Sequence, residues 1–193
     1  MDADTLPAGA VEFFIALCRA RGLKPVAPSP APDQPPPDAG ILFVSGTRSP
    51  DVQTYRGWGV TVLPMPADVL AGDDAGATGR WAETIAEALE SGPAAAVIGL
   101  AGGDSNRPPA ELAERLVAAV ADVLKRRPVG RVFVEGGRTA SGLVRRMGWA
   151  PLAGRRQLAP GVVALTPAGQ SRRTVTLKPG SYPWPEEVWP ARR

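Results

Sequence analysis

Residues 131–149, RVFVEGGRTASGLVRRMGW, change hydrophobic period halfway, from a short apolar run to apolar positions at helical spacing. A strand, a tight turn and a helix satisfy that order. Val132, Phe133 and Val134 are β-branched or aromatic, whereas Leu143, Val144 and Met147 fall at i, i+1 and i+4 on one helix face. The pair Gly136-Gly137 lets the backbone turn without a Cβ penalty, and Thr139 or Ser141 is the expected helix cap. Free amides at such a helix start, reinforced by the dipole, suit an anion such as phosphate. The same arrangement also occurs in α/β domains that bind no anion. The chain contains neither a Gly-Lys-Ser/Thr phosphate loop nor the spaced three-glycine dinucleotide motif.

The same rhythm recurs upstream. Ile41–Ser45 (ILFVS), Val60–Met65 (VTVLPM) and Ala94–Leu100 (AAAVIGL) read as strands. A loop, SGTRSPD, follows the first of them. A Gly/Asp-rich loop and a helix from about Thr78 to Leu89 follow the second, with Trp81, Ile85 and Leu89 apolar. After the third, AGGDSNRP leads to Pro108 and Pro109, which open a helix through Leu124 with Leu112, Leu116, Val120, Val123 and Leu124 on one side. Strands separated by helices predict an α/β fold, a mostly parallel sheet with helices on both faces. Beyond Trp149, short β-like runs at Val162–Leu165 and Thr174–Lys178 predict a small antiparallel extension near the C-terminus, and the tail SYPWPEEVWP is expected to fold back as a lid.

Bulk properties narrow the functions. With 193 residues, one domain of ordinary size buries a substantial core. The balance of 22 Lys and Arg against 19 Asp and Glu gives a net charge of +3, too even to argue for nucleic acid. Arginine pairs at Arg126/Arg127, Arg145/Arg146, Arg155/Arg156 and Arg172/Arg173 read as a solvated face that could also receive an anionic ligand. With no histidine, triads, metal sites and proton shuttles built on imidazole are excluded. The single cysteine, Cys18, forms no internal disulfide and reads as a packed residue. No apolar run approaches 18 residues and no signal-peptide pattern opens the chain, so a cytoplasmic protein with no membrane contact is expected. Three segments are expected: an N-terminal helix within 1–23, running from Pro7 to Arg21, a semi-rigid linker at 24–40 with seven prolines between Pro25 and Pro37, and an α/β domain at 41–193.

Three strand ends carry glycine-rich or small polar loops: Ser45-Gly46-Thr47, Ala101-Gly102-Gly103-Asp104-Ser105 and Glu135-Gly136-Gly137. In open parallel sheets ligands bind beyond the carboxyl ends of strands, so the loops are expected to meet at one crevice holding a nucleotide or sugar phosphate.

The motif order over residues 41–189 resembles the C-terminal nucleotide-binding domain of the four-carbon acid sugar kinase family. A Gly-Ser-x-Ser-Pro loop in that family corresponds to Ser45-Gly46-Thr47-Arg48-Ser49-Pro50, and Gly-Gly-x-Thr corresponds to Gly136-Gly137-Arg138-Thr139. Pro-Gly-Val corresponds to Pro160-Gly161-Val162, and Lys-x-Gly-Gly-Phe-Gly to Lys178-Pro179-Gly180-Ser181-Tyr182-Pro183. The resemblance implies that the 41–193 domain binds adenine nucleotide. ATP with Mg²⁺ would lie against Ser45, Gly46, Thr47, Ser49, Gly102, Gly103, Gly136, Gly137, Arg138, Thr139, Lys178 and Gly180.

The departures are specific. Arg138 stands where the family has an acidic residue, Val52 and Tyr55 replace a Thr and a Gln, and Ser181 and Pro183 replace glycines. The family's N-terminal acid-sugar domain has no counterpart here, so a half-kinase of this kind would need a separate substrate-domain protein. Two other readings stay open. One is a non-catalytic nucleotide or small-anion module acting as sensor or partner, and the other is a purely structural interaction protein.

Overall fold

A computed structural model describes residues 11–23, 40–47, 50–72, 74–92, 94–99, 107–170, 172–180 and 182–190. Among the described residues, twelve elements form one α/β unit after an N-terminal helix α1 (Val11–Ala20): β1 (Gly40–Ser45), α2 (Val52–Gly57), β2 (Thr61–Pro64), α3 (Ala67–Ala71), α4 (Ala77–Ser91), β3 (Ala94–Ile98), α5 (Pro109–Arg126), β4 (Val129–Glu135), α6 (Gly137–Met147) and a meander of three strands. The meander comprises β5 (Leu152–Ala159), β6 (Val162–Pro167) and β7 (Thr174–Lys178). A short 3₁₀ turn at Glu186–Val188 lies in the tail.

The seven strands form one sheet in the order β2-β3-β1-β4-β7-β6-β5. The first five in that order run parallel, and β6 and β5 are antiparallel to their neighbours. Crossover handedness sets the layers. The chain moves one way from β1 to β2 and the opposite way from β2 to β3 and from β3 to β4, so right-handed connections put α2 on one face and α4 and α5 on the other. Both faces therefore carry helices, but unequally.

The face under α4, α5 and α6 holds the larger core. Leu42 and Val44 of β1, Val132 and Val134 of β4, Ile85, Leu116, Val120, Leu143 and Trp149 all pack there. The opposite face holds Ile41, Phe43 and Phe133, covered by α2 and by the C-terminal tail. Phe43 stacks on Phe133 with ring centroids 4.8 Å apart and on Trp189 at 5.0 Å, and Trp189 stacks in turn on Trp58 at 5.8 Å. Because β1 is buried on both faces, its sequence reads as an unbroken apolar run rather than an alternation.

Several sequence expectations need correction. Residues 52–59, for which no element is expected, contain α2, and the loop expected ahead of Thr78 contains α3. Neither is long enough to show a helical period. β5 was not expected, since LAGRRQLA at a sheet edge is largely exposed and lacks the apolar run of a buried strand. Neither Thr139 nor Ser141 caps α6: Gly136 is the N-cap with no side-chain hydrogen bond, Thr139 lies inside the first turn, and the Ser141 hydroxyl donates to the Arg138 carbonyl at 3.2 Å. The pair Arg172/Arg173 is not uniformly solvated. Arg173 donates to the carbonyls of Val129 (3.0 Å) and Leu124 (3.2 Å) and lies 5.5 Å from the Trp149 ring. The apolar residues Phe13, Phe14 and Ile15 of α1 are exposed, and Cys18 is partly buried rather than packed into a core. The proline-rich stretch 24–39 lies outside the described residues. The tail does fold back, onto the α2 face.

Phe43 has rings on three sides, so Phe43→Ala leaves a cavity that the sheet cannot close by moving. A loss of about 3–5 kcal/mol is expected in urea unfolding. A loss below about 1 kcal/mol would mean that the tail does not pack on this face.

Candidate functional site

Strand order creates the site. β1 is followed by a helix on one face and its neighbours β3 and β4 by helices on the other, so the carboxyl end of β1 is the switch point where open parallel sheets bind ligands. Ladder bonds run one residue past the strands and tie the loop starts together. Gly99 N donates to Ser45 O at 2.9 Å, Gly46 N to Glu135 O at 3.2 Å and Gly136 N to Lys178 O at 3.0 Å.

At the final rung of three adjacent strands, Ser45 of β1 is level with Glu135 of β4, and Glu135 with Lys178 of β7. All three side chains are buried. Lys178 Nζ donates to Glu135 Oε1 at 2.6 Å, and Ser45 Oγ donates to Oε2 at 3.0 Å, so both carboxylate oxygens are engaged. The ammonium also donates to the Pro179 carbonyl at 3.3 Å and lies 4.9 Å from the centre of the Trp184 ring. Trp184 Nε1 donates to the Tyr55 hydroxyl at 3.1 Å. Burial, with the negative charge of Glu135 second, pushes the Tyr55 phenol well above its ordinary range. A path of polar contacts thus runs from the strand ends to the tail.

Next to this network lies the start of α6. Gly136, with φ 99°, takes a backbone geometry that a side chain would strain, and it turns the chain from β4 directly into the helix. The first amides of α6, from Gly137 to Thr139, have no partner within the helix. Thr139, in the first turn of α6, is 3% exposed. It faces Gly46 so closely that a Cβ at Gly46 would overlap the hydroxyl. On the other side, a Cβ placed at Gly180 would lie 3.6 Å from the Thr47 hydroxyl.

The structure therefore brings together Gly46 with Thr139, Thr47 with Gly180, and Ser45 with Lys178. Gly137 and Arg138 are exposed at the start of α6. Ser49, Gly102 and Gly103 lie outside the described residues. Sequence reasoning missed Glu135 as the centre of the buried network, and it missed Tyr55 and Trp184 as partners in it. The signal for Glu135 was a single acid closing an apolar strand. It becomes readable only once β7 is known to lie beside β4.

Among the described residues no cluster of three metal-ligating side chains occurs, and no helix is long and apolar enough to cross a membrane. No protein-family model matches the chain, and comparison with curated proteins finds no relative. Solved structures do match in fold. One is a DUF1537 protein from Bordetella bronchiseptica, determined as a domain-swapped dimer with bound citrate, at 19% identity and TM-score 0.63, covering 75% of this chain and 38% of that one. A second is a DUF1537 protein from Haemophilus influenzae, at 18% identity and TM-score 0.61, covering 92% and 44%. A Salmonella typhimurium LT2 protein matches at 16% identity and TM-score 0.60, covering 79% and 38%. The chain spans less than half the length of each of these neighbours. At these identities the likeness shows a shared fold.

Removing one member of the Glu135–Lys178 pair strands a buried charge, so Glu135→Leu or Lys178→Met alone is expected to cost about 3–5 kcal/mol in urea unfolding. The double variant is expected to recover most of that loss. Singles that each cost under about 1 kcal/mol would contradict a buried pair.

Tyr55 supplies a pH signature. Its folded phenol stays neutral above the ordinary value of about 10, so the unfolded chain releases a proton there that the folded chain retains. The stability it contributes is complete below about pH 10 and falls as pH rises toward the higher folded value, by at most about 1.4 kcal/mol per pH unit. Melting temperatures between about pH 9 and 11 should drop more for the wild type than for Tyr55→Phe. Parallel profiles would show that Tyr55 ionises freely in the fold.

Proposed function

We propose that the crevice over β1 binds the phosphate end of an adenine nucleotide, and that the chain is a nucleotide-binding unit working with a separate acceptor-binding domain. The observation that carries this reading is Thr139: a buried side chain in the first turn of α6, held beside that helix's free amides and facing a glycine that leaves its hydroxyl room. Hydroxyl, amides and helix dipole all favour an anion at that point. Thr47 and Gly180 would close the second side, and Arg138 offers a charged fork at the rim.

ATP would supply the transferable phosphoryl group. This chain's residues would bind and orient its phosphates and exclude water beneath the tail. The donor set does not fit a protein-held Mg²⁺: both oxygens of Glu135, the carboxylate at the strand ends, are taken by Lys178 and Ser45, and Arg138 occupies the position that would otherwise add an acid. Lys178 is likewise compensated by Glu135 rather than free for a phosphate. That pairing favours a second reading, a non-catalytic nucleotide or small-anion module. Phosphoryl transfer depends mainly on positioning the acceptor and stabilising charge on the transferred group. The fold neighbours are more than twice as long as the part this chain matches, which supports assigning the acceptor to another domain.

Gly137 is a clean probe. It is exposed at the first position of α6, and a Cβ there meets nothing within 4 Å, so Gly137→Val is expected to fold while crowding the amides. Saturating ATP or ADP, at about 100 times Kd, is expected to stabilise the wild type by about 2.7 kcal/mol. That corresponds to a rise in Tm of roughly 5–10 °C, and Gly137→Val should lose it. No shift in the wild type, or an undiminished shift in a folded Gly137→Val, overturns the reading. Citrate serves as the control for a general polyanion response.

A further inference from the structure

Away from the crevice, α5 and α6 lie side by side, and their outer surfaces form a groove. Its floor is made of small residues, Ala113 and Gly142 with Val117, and its α6 rim carries Arg138, Arg145 and Arg146. Gly142 lets the helices approach: a Cβ there would stand 3.3 Å from a Val117 methyl. All three arginines are exposed.

Six arginines elsewhere among the described residues are ion-paired. Arg80 pairs with Asp68 and Asp74, Arg107 and Arg115 with Glu111, Arg126 with Asp122, Arg127 with Glu90 and Arg156 with Glu187. Among the described residues no carboxylate pairs with Arg138, Arg145 or Arg146, even though Glu114 lines the same groove. Three like charges on one helix edge repel one another, and neither the fold nor the crevice uses Arg145 or Arg146. The spacing is also regular. Arg138 and Arg145 are seven residues apart, so their Cα atoms stand about 10 Å apart along α6, two turns on the same side.

We propose that this groove is a docking surface for an acidic helix of a partner protein. Such a helix carries carboxylates at i and i+7, which meet the Arg138 and Arg145–Arg146 positions, with alanine-sized residues between them seated on the small-residue floor. Guanidinium groups suit carboxylates because the planar fork donates two parallel hydrogen bonds. The small-residue floor lets a helix backbone approach closely. The groove shares only Arg138 with the nucleotide reading and rests on Arg145, Arg146 and the small-residue floor.

The test uses the full chain without nucleotide and a fluorescein-labelled alanine-rich helical peptide bearing Glu at i, i+7 and i+8. Fluorescence anisotropy reads binding, and a Gln-for-Glu peptide is the control. The Glu peptide is expected to bind the wild type and the Gln peptide not to. Arg145→Glu/Arg146→Glu should weaken binding at least tenfold, whereas Arg126→Glu/Arg127→Glu, with the same charge change on another surface, should leave it within about threefold. Ala113→Gln, which changes no charge but stands in the floor, should also weaken it. Circular dichroism confirms that each variant is folded. No binding by the wild type, or equal loss in the two charge-reversed pairs, overturns the proposal. Binding that persists in Gly137→Val separates this groove from the crevice, and binding lost there with the fold intact overturns the proposal too.

Discussion

Everything near the carboxyl end of the sheet depends on how one buried carboxylate is satisfied. Glu135 closes β4 and is buried, so its carboxylate must be matched from within the protein, and register supplies the match: Ser45 from β1 and Lys178 from β7. A buried ion pair contributes little net stability compared with a well-packed apolar pair, but a wrong pairing would leave a bare charge inside. The pair therefore selects the arrangement in which β7, and no other meander strand, lies against β4. It also aligns the three loop starts at one height.

The two faces of the sheet are built differently for the same topological reason. Successive crossovers in one direction stack α4, α5 and α6 on one face and leave the other to α2 and the tail. A six-residue helix cannot cover that second face alone, and the aromatic side chains complete it: Trp58 and Trp189 stacked, Trp184 and Tyr55 hydrogen-bonded. Because Trp184 also lies over the Lys178 ammonium, the tail is coupled to the strand ends by both packing and charge.

Much of this was legible beforehand where local chemistry and tertiary context agree. Ile41–Ser45, Ala94–Ile98 and the helix from Pro109 carry uninterrupted apolar runs or a sustained helical period, because burial on both faces, or along one stripe, leaves few other residues admissible. α2, α3 and β5 escaped because each is short or exposed, and a propensity summed over five or six residues is too weak to rise above loop chemistry. The glycine turn at Gly136 was readable as a turn. Its cap was not, because Thr139 looks locally like a capping residue and is instead drawn inward against Gly46.

The amino-acid sequence by itself determined the alternation of strands and helices, the glycine turns at the strand ends and the absence of imidazole chemistry, since all three follow from composition and short-range period. Only the tertiary structure decided that Ser45, Glu135 and Lys178 share one rung, that Tyr55 meets Trp184, and that Arg138, Arg145 and Arg146 line one groove with no carboxylate ion-paired to them among the described residues. These residues lie 43 to 129 positions apart in the hydrogen-bonded cases, and contacts of that range depend on strand order. Strand order in turn comes from crossover handedness and the need to neutralise a buried charge, and neither leaves a local trace in the chain.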